Sequence, residues 1–153
     1  MMVLDMEFMK KYKYFELDEF IRSDTAKKKN IDNTPSFEIV NHLEELVENV
    51  LEPLRAAYGM PIKISSGYRC PALNRAVQGS TTSVHMIGYA ADLQVGGSFN
   101  KFRDFVLEWF RKTGTRFDQL LLEENKKTGA KWIHIGLKSN TGQQRGMINV
   151  MKV

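Results

Sequence analysis

A chain of 153 residues with 42% hydrophobic content is sized for a single domain around one core and is too apolar for a disordered segment. The net charge of +4 and pI near 9.2 suit an anionic polymer, but the basic residues are scattered, and without a basic stripe carrying stacking aromatics no nucleic-acid partner is expected. The lone cysteine, Cys70, excludes an internal disulfide and a cysteine-based zinc cluster, and with enough apolar residues for a core, a metal in this protein is expected to serve chemistry more than folding.

In chain order, the opening stretch breaks its apolar residues with Asp5, Glu7, Lys10 and Lys11, so neither a signal-peptide apolar region nor a membrane span is expected. Residues 15–29 predict one short helix with Leu17, Phe20 and Ile21 on one side, and Lys27, Lys28 and Lys29 as its solvated end. Thr34 then offers an N-cap and Pro35 a first helical position. The helix that follows is marked by Ile39, Val40, Leu43, Leu46, Val47, Val50, Leu51 and Leu54, with five glutamates opposite, a kink expected at Pro53 and a stop at Gly59. His42 lies on it as a partly exposed histidine.

PIKIS reads as a strand, Pro71 to Ala76 as a short helix, and AADLQV as a second strand. Phe102, Phe105, Val106, Trp109 and Phe110 predict an amphipathic helix ended by Gly114. FDQLLLE and KWIHIGL form a hairpin through ENKKTG, and RGMINVMKV adds an edge strand. The expected class is α+β: a small, mainly antiparallel sheet with helices packed against it, in one domain spanning 1–153.

The segment from Ser83 to Asp92 carries the chemistry. Gly88, Ala90 and Ala91 separate a histidine, His85, from a carboxylate, Asp92, and small residues let the backbone bring the two together. Imidazole and carboxylate are both zinc ligands, and a catalytic zinc takes three protein ligands and leaves one position open. His134 lies on a strand where it alternates with Ile133 and Ile135, which places it on the face opposite the core. From spacing alone, a metal site of His85, Asp92 and His134 stands level with a loop histidine, a turn cap and a satisfied sheet histidine.

The ordered set SGYR, P-x-L-N, S-x-H-x-x-G-x-A-x-D, FDQLLLE and WIH, from about Ile62 to Arg145, resembles the zinc D-alanyl-D-alanine carboxypeptidases. Phage endolysins that cut L-alanyl-D-glutamate bonds belong to the same group, which shares its fold with the hedgehog signalling domain. The chain looks like the compact, prophage-type form. The resemblance implies one Zn2+ held by His85, Asp92 and His134, with Arg69 facing the substrate, where its planar fork can bind a carboxylate or carbonyl. Ser83 lies close to substrate or ligands in the same pattern. Lys131 departs from the pattern of relatives with an acid three positions before the last histidine. Compact relatives instead place a glutamate at the end of the preceding strand, here Glu123, with Glu124 as the alternative if the hairpin slips by one residue. Tyr68 and Trp132 are candidates for lining the cleft, and Cys70 has no evident role.

The implied activity is hydrolysis of peptide bonds in peptidoglycan stem peptides by metal-activated water, as a carboxypeptidase or an endopeptidase, on a monomeric protein made in the cytoplasm that reaches the cell wall by release or export. The alternative is a zinc-containing binding module of the same fold, without hydrolysis, and Lys131 is the residue that supports it.

Overall fold

The computed structural model describes Phe8 and residues 11–153; the rest of the opening stretch, read above as free of a leader, lies outside the described residues. The single helix expected over 15–29 is two, α1 (Leu17–Ile21) and α2 (Asp24–Lys28). The break has a local cause. Ser23 adopts an extended backbone and its hydroxyl accepts from the amide of Ala26 at 3.2 Å, so it caps a new helix instead of continuing the old one.

The long helix also begins later than its sequence suggests. Ser36, not Thr34, is the N-cap of α3 (Phe37–Leu46), accepting from Ile39 at 3.3 Å. Thr34 is engaged in a turn closed by Asp32, which accepts from its amide at 3.0 Å and its hydroxyl at 2.6 Å. Pro53 produces a wide π-helical turn over Val47–Leu51, after which α4 (Glu52–Tyr58) runs to Gly59. The widened turn accommodates a ring that has no N–H to give and would crowd the preceding carbonyls.

Five strands make one sheet: β1 (Lys63–Ser66), β2 (Ala90–Gln94), β3 (Gln119–Glu124), β4 (Lys131–Gly136) and β5 (Met147–Lys152), in the order β1-β2-β4-β3-β5. Every pair is antiparallel except β3 with β5, which is parallel. The α+β architecture is therefore as expected, and β5 is an edge strand, exposed along its whole length. Helix α5 (Pro71–Ala76) follows β1, and α6 (Phe99–Thr113) links β2 to β3 and ends at Gly114.

Strand alternation divides the sheet into two faces. Ala91, Leu93, Leu120, Ile133 and Ile135 are fully buried and join Val40, Leu43, Leu46, Phe102 and Val106 in the core under α3 and α6. Burying one such leucine or phenylalanine contributes about 1.5–3 kcal/mol, and this apolar face holds the strands in register for the polar face behind it. On that second face the register sets Asp92 opposite His134, Leu121 opposite His134, and Glu123 opposite Trp132.

Candidate active site

Two adjacent strands and one turn bring the three candidate ligands together. Asp92 comes from the middle of β2 and His134 from the facing position of β4. His85 sits on the 3-10 turn Val84–Ile87. Gly88 closes that turn with φ of +82°, and a Cβ there would lie 2.8 Å from the carbonyl oxygen of Ile39, so the position demands glycine. His42 is part of the same support: its Nδ1 donates to the carbonyl of Ile87 at 2.6 Å, and its ring stacks on Tyr89 with centroids 4.0 Å apart.

His85 Nδ1 lies 2.7 Å from the carbonyl oxygen of Gly67, an atom that can only accept, so Nδ1 carries the hydrogen and Nε2 presents its lone pair. That lone pair faces Asp92 Oδ1 at 3.3 Å and His134 Nδ1 at 3.2 Å, while His134 Nδ1 and Asp92 Oδ1 are 3.0 Å apart. Ligands 2.0–2.1 Å from a tetrahedral zinc stand roughly 3.3–3.4 Å from one another, so this triangle has about the right edge. Burial pushes the pKa of His85 down despite the neighbouring carboxylate, which keeps the ring neutral and its acceptor nitrogen turned toward an anion. Burial works against the Asp92 carboxylate too, but positive charge or a hydrogen supplied from the His85 and His134 side holds its pKa well below the usual range. A cation between the three atoms relieves the acceptor-to-acceptor contact, and the donor set of two imidazoles and one carboxylate fits zinc.

The triad opens into a cleft of about 680 Å³ on the second face of the sheet, whose lining includes Arg69, Ser83, Glu123 and Trp132. Arg69 lies between β1 and α5, on a loop that crosses close to α1: a Cβ on Gly67 would come within 2.5 Å of the carbonyl oxygen of Phe20. The guanidinium is largely desolvated, which lowers its pKa, while Asp92 and Glu123 favour its charge. One terminal nitrogen donates to Ser83 Oγ at 3.3 Å, and Nε is buried without a partner. Ser83 also accepts from the amide of His85 at 3.2 Å, so it braces both the turn and the arginine.

Glu123 faces this cleft; Glu124 turns away, its carboxylate 3.9 Å from Lys152 rather than near Lys126 or Lys127. Burial raises the pKa of Glu123, and the charge of Asp92 adds to the rise. The indole N–H of Trp132 is close enough to offset part of that shift but makes no hydrogen bond of normal geometry. Lys131 is exposed and, by strand alternation, shares the face of Ile133, away from the cleft. Tyr68 does not line the cleft; it is buried beside a smaller hollow formed with Arg22, Ser23 and Leu73. Cys70 is the N-cap of α5, its sulfur accepting from the amide of Leu73 at 3.4 Å.

Sequence reading missed several supports. Asp118 accepts two side-chain hydrogen bonds from Arg145, at 2.8 and 2.9 Å, and fixes the loop that leads into β5. Asn140 Nδ2 donates to the carbonyl of Thr82 at 2.8 Å, tying together the two loops that flank the cleft beyond the Ala90–Gly136 pair. Asp118 lies inside FDQLLLE and could have been suspected there; Asn140 and His42 carry no signal in a single sequence.

The profile of the peptidase M15 family matches residues 13–135, a span that takes in all three candidate ligands, Arg69 and Glu123. The chain belongs to the peptidase M15 family. No curated protein matches it. M15 peptidases are zinc-dependent, and the His85–Asp92–His134 cluster is a group that could hold such an ion. Among the described residues of this M15 metallopeptidase no helix is long and apolar enough to cross a membrane.

Proposed function

We propose that this M15 peptidase hydrolyses peptide bonds in the stem peptides of bacterial peptidoglycan, with His85, Asp92 and His134 as its zinc ligands, Glu123 as general base and Arg69 as substrate anchor. The observation that carries the reading is the convergence of three donor atoms 3.0–3.3 Å apart with an unpartnered arginine N–H and a partly buried glutamate in one cleft. Bound there, zinc would supply Lewis acidity and lower the pKa of a coordinated water to about 7.

The chain's own groups account for the remaining steps. His85 and His134 would present ring lone pairs to the ion, and Asp92 contributes a negative charge beside it. Glu123 accepts the proton of the attacking water and returns it to the leaving amine, a role that suits a carboxylate whose pKa is raised toward neutrality by burial. Arg69 donates to the substrate carbonyl or carboxylate, and its desolvation strengthens that bond as charge develops. The protein then acts on the wall after release or export.

Digestion of purified muropeptides by the zinc-loaded protein, with products weighed by mass spectrometry, tests the reading. Loss of terminal alanine identifies the carboxypeptidase form, and a split between alanine and glutamate the endopeptidase form. Intact muropeptides with zinc in place would favour the binding-module alternative that Lys131 first suggested.

A further inference from the structure

We propose that Asn33 is a positioning residue for Arg69: its buried carboxamide clamps the backbone on both sides of the arginine and so aims the guanidinium into the cleft. The inference rests on the substrate-binding role given to Arg69 above. Asn33 lies between α2 and α3, far from the cleft in sequence, and is only 7% exposed. Its Nδ2 donates to the carbonyls of Ile21 at 2.8 Å and Tyr68 at 3.0 Å. Its Oδ1 accepts from the amide of Cys70 at 2.8 Å. Both amide hydrogens and the oxygen are engaged, so the carboxamide has one orientation only.

Tyr68 and Cys70 are the two neighbours of Arg69, and the amide of Arg69 itself donates to the carbonyl of His85 at 3.1 Å. Three consecutive residues, Tyr68 buried and Arg69 and Cys70 partly buried, are thus tied through their backbone. The guanidinium has little hold of its own: one bond of 3.3 Å to Ser83 and an Nε without a partner. Its location is therefore inherited from the backbone, and the backbone is held by Asn33. The metal side is linked to this segment through the amide of Arg69 but also has ties of its own. Gly67 accepts from His85 Nδ1 at 2.7 Å, and Tyr68 donates its amide to Phe20 at 2.7 Å, neither through Asn33. Loss of the clamp should then cost turnover while the ligand cluster persists, and a displacement of about 1 Å in an anchoring group can cost on the order of a hundredfold.

A double-mutant cycle on the full chain tests this, with Asn33→Asp, Arg69→Ala and the double variant assayed on the muropeptides that the parent cleaves and checked for zinc content. Asn33→Asp keeps the shape and the acceptor for Cys70 but removes both donated hydrogens; Asn33→Ser serves as a second, smaller probe should the buried charge prevent folding. The expected result is a roughly 10- to 100-fold loss in kcat/KM for the Asn33 variants, with zinc retained and no further loss when the change is made on top of Arg69→Ala. In the metal-free protein, the Arg69 Nε–H resonance, assigned by its disappearance in Arg69→Ala, should move in either Asn33 variant. Independent, additive losses, or an unmoved Arg69 resonance, would overturn the positioning role alone. Parental turnover in Arg69→Ala would overturn the role of Arg69 itself, and the inference with it.

Discussion

Asp92 and His134 face each other across β2 and β4, the carboxylate oxygen and the imidazole Nδ1 3.0 Å apart, with His85 Nε2 completing a triangle. Antiparallel pairing fixes that relation, because the two residues are register partners in a sheet whose other face is core. Variants that remove one corner should lose the ion without losing the fold. His85→Ala and His134→Ala are expected to fall from about one zinc per chain to a small fraction by elemental analysis, while circular dichroism stays that of the parent. Full occupancy in both would rule out the assignment.

The two glutamates at the end of β3 separate cleanly. Glu123 faces the cleft, and Glu124 lies beside Lys152 on an exposed strand. Glu123→Gln should reduce turnover by roughly a hundredfold or more with zinc still bound, the usual cost of removing a general base. Glu124→Gln should change turnover less than about twofold, since exposed ion pairs contribute little. Equal turnover in the two variants would place the base elsewhere.

Arg69→Lys retains the charge and discards the planar fork. The single long bond from Arg69 to Ser83 gives the fold little to lose, so the melting temperature should shift by no more than a degree or so while kcat/KM drops about tenfold or further. A variant that melts much earlier but turns over normally would make Arg69 structural.

Acid stability should depend on Asp118. Hydrogen bonds from Arg145 hold its carboxyl below the usual carboxylate range, although burial opposes them. A carboxylate with a depressed folded-state pKa contributes stability above its unfolded pKa, and that contribution disappears as pH falls through the folded value. The parent should therefore lose melting temperature below about pH 4, and Asp118→Asn should lose less over the same range while starting lower at pH 7. Parallel curves for the two proteins would count against the pair.

What the sequence made legible follows from which interactions are local. The apolar spacing of α3 and α6, the alternation in β4 and the small residues between His85 and Asp92 each leave a mark within a few neighbours, and the structure has these elements, with the start of α3 displaced to Phe37. The cap at Ser36 in place of Thr34 was decided by competition, because Asp32 captures Thr34 first. Whether Glu123 or Glu124 faces the cleft depended on hairpin register, which residues 119–136 alone do not specify. Asn33 and His42 act over 35 and 45 residues of chain, and a contact of that span has no signature in one sequence.

The three candidate ligands rest on unequal foundations. Asp92 and His134 are embedded in paired central strands, whereas His85 hangs on a four-residue turn held by Gly67, Ser83 and His42. An ion bound to all three would stiffen mainly the turn, since the strands are already braced on both sides. Amide hydrogen exchange near Val84–Gly88 should slow far more on metal loading than exchange in β2 or β4.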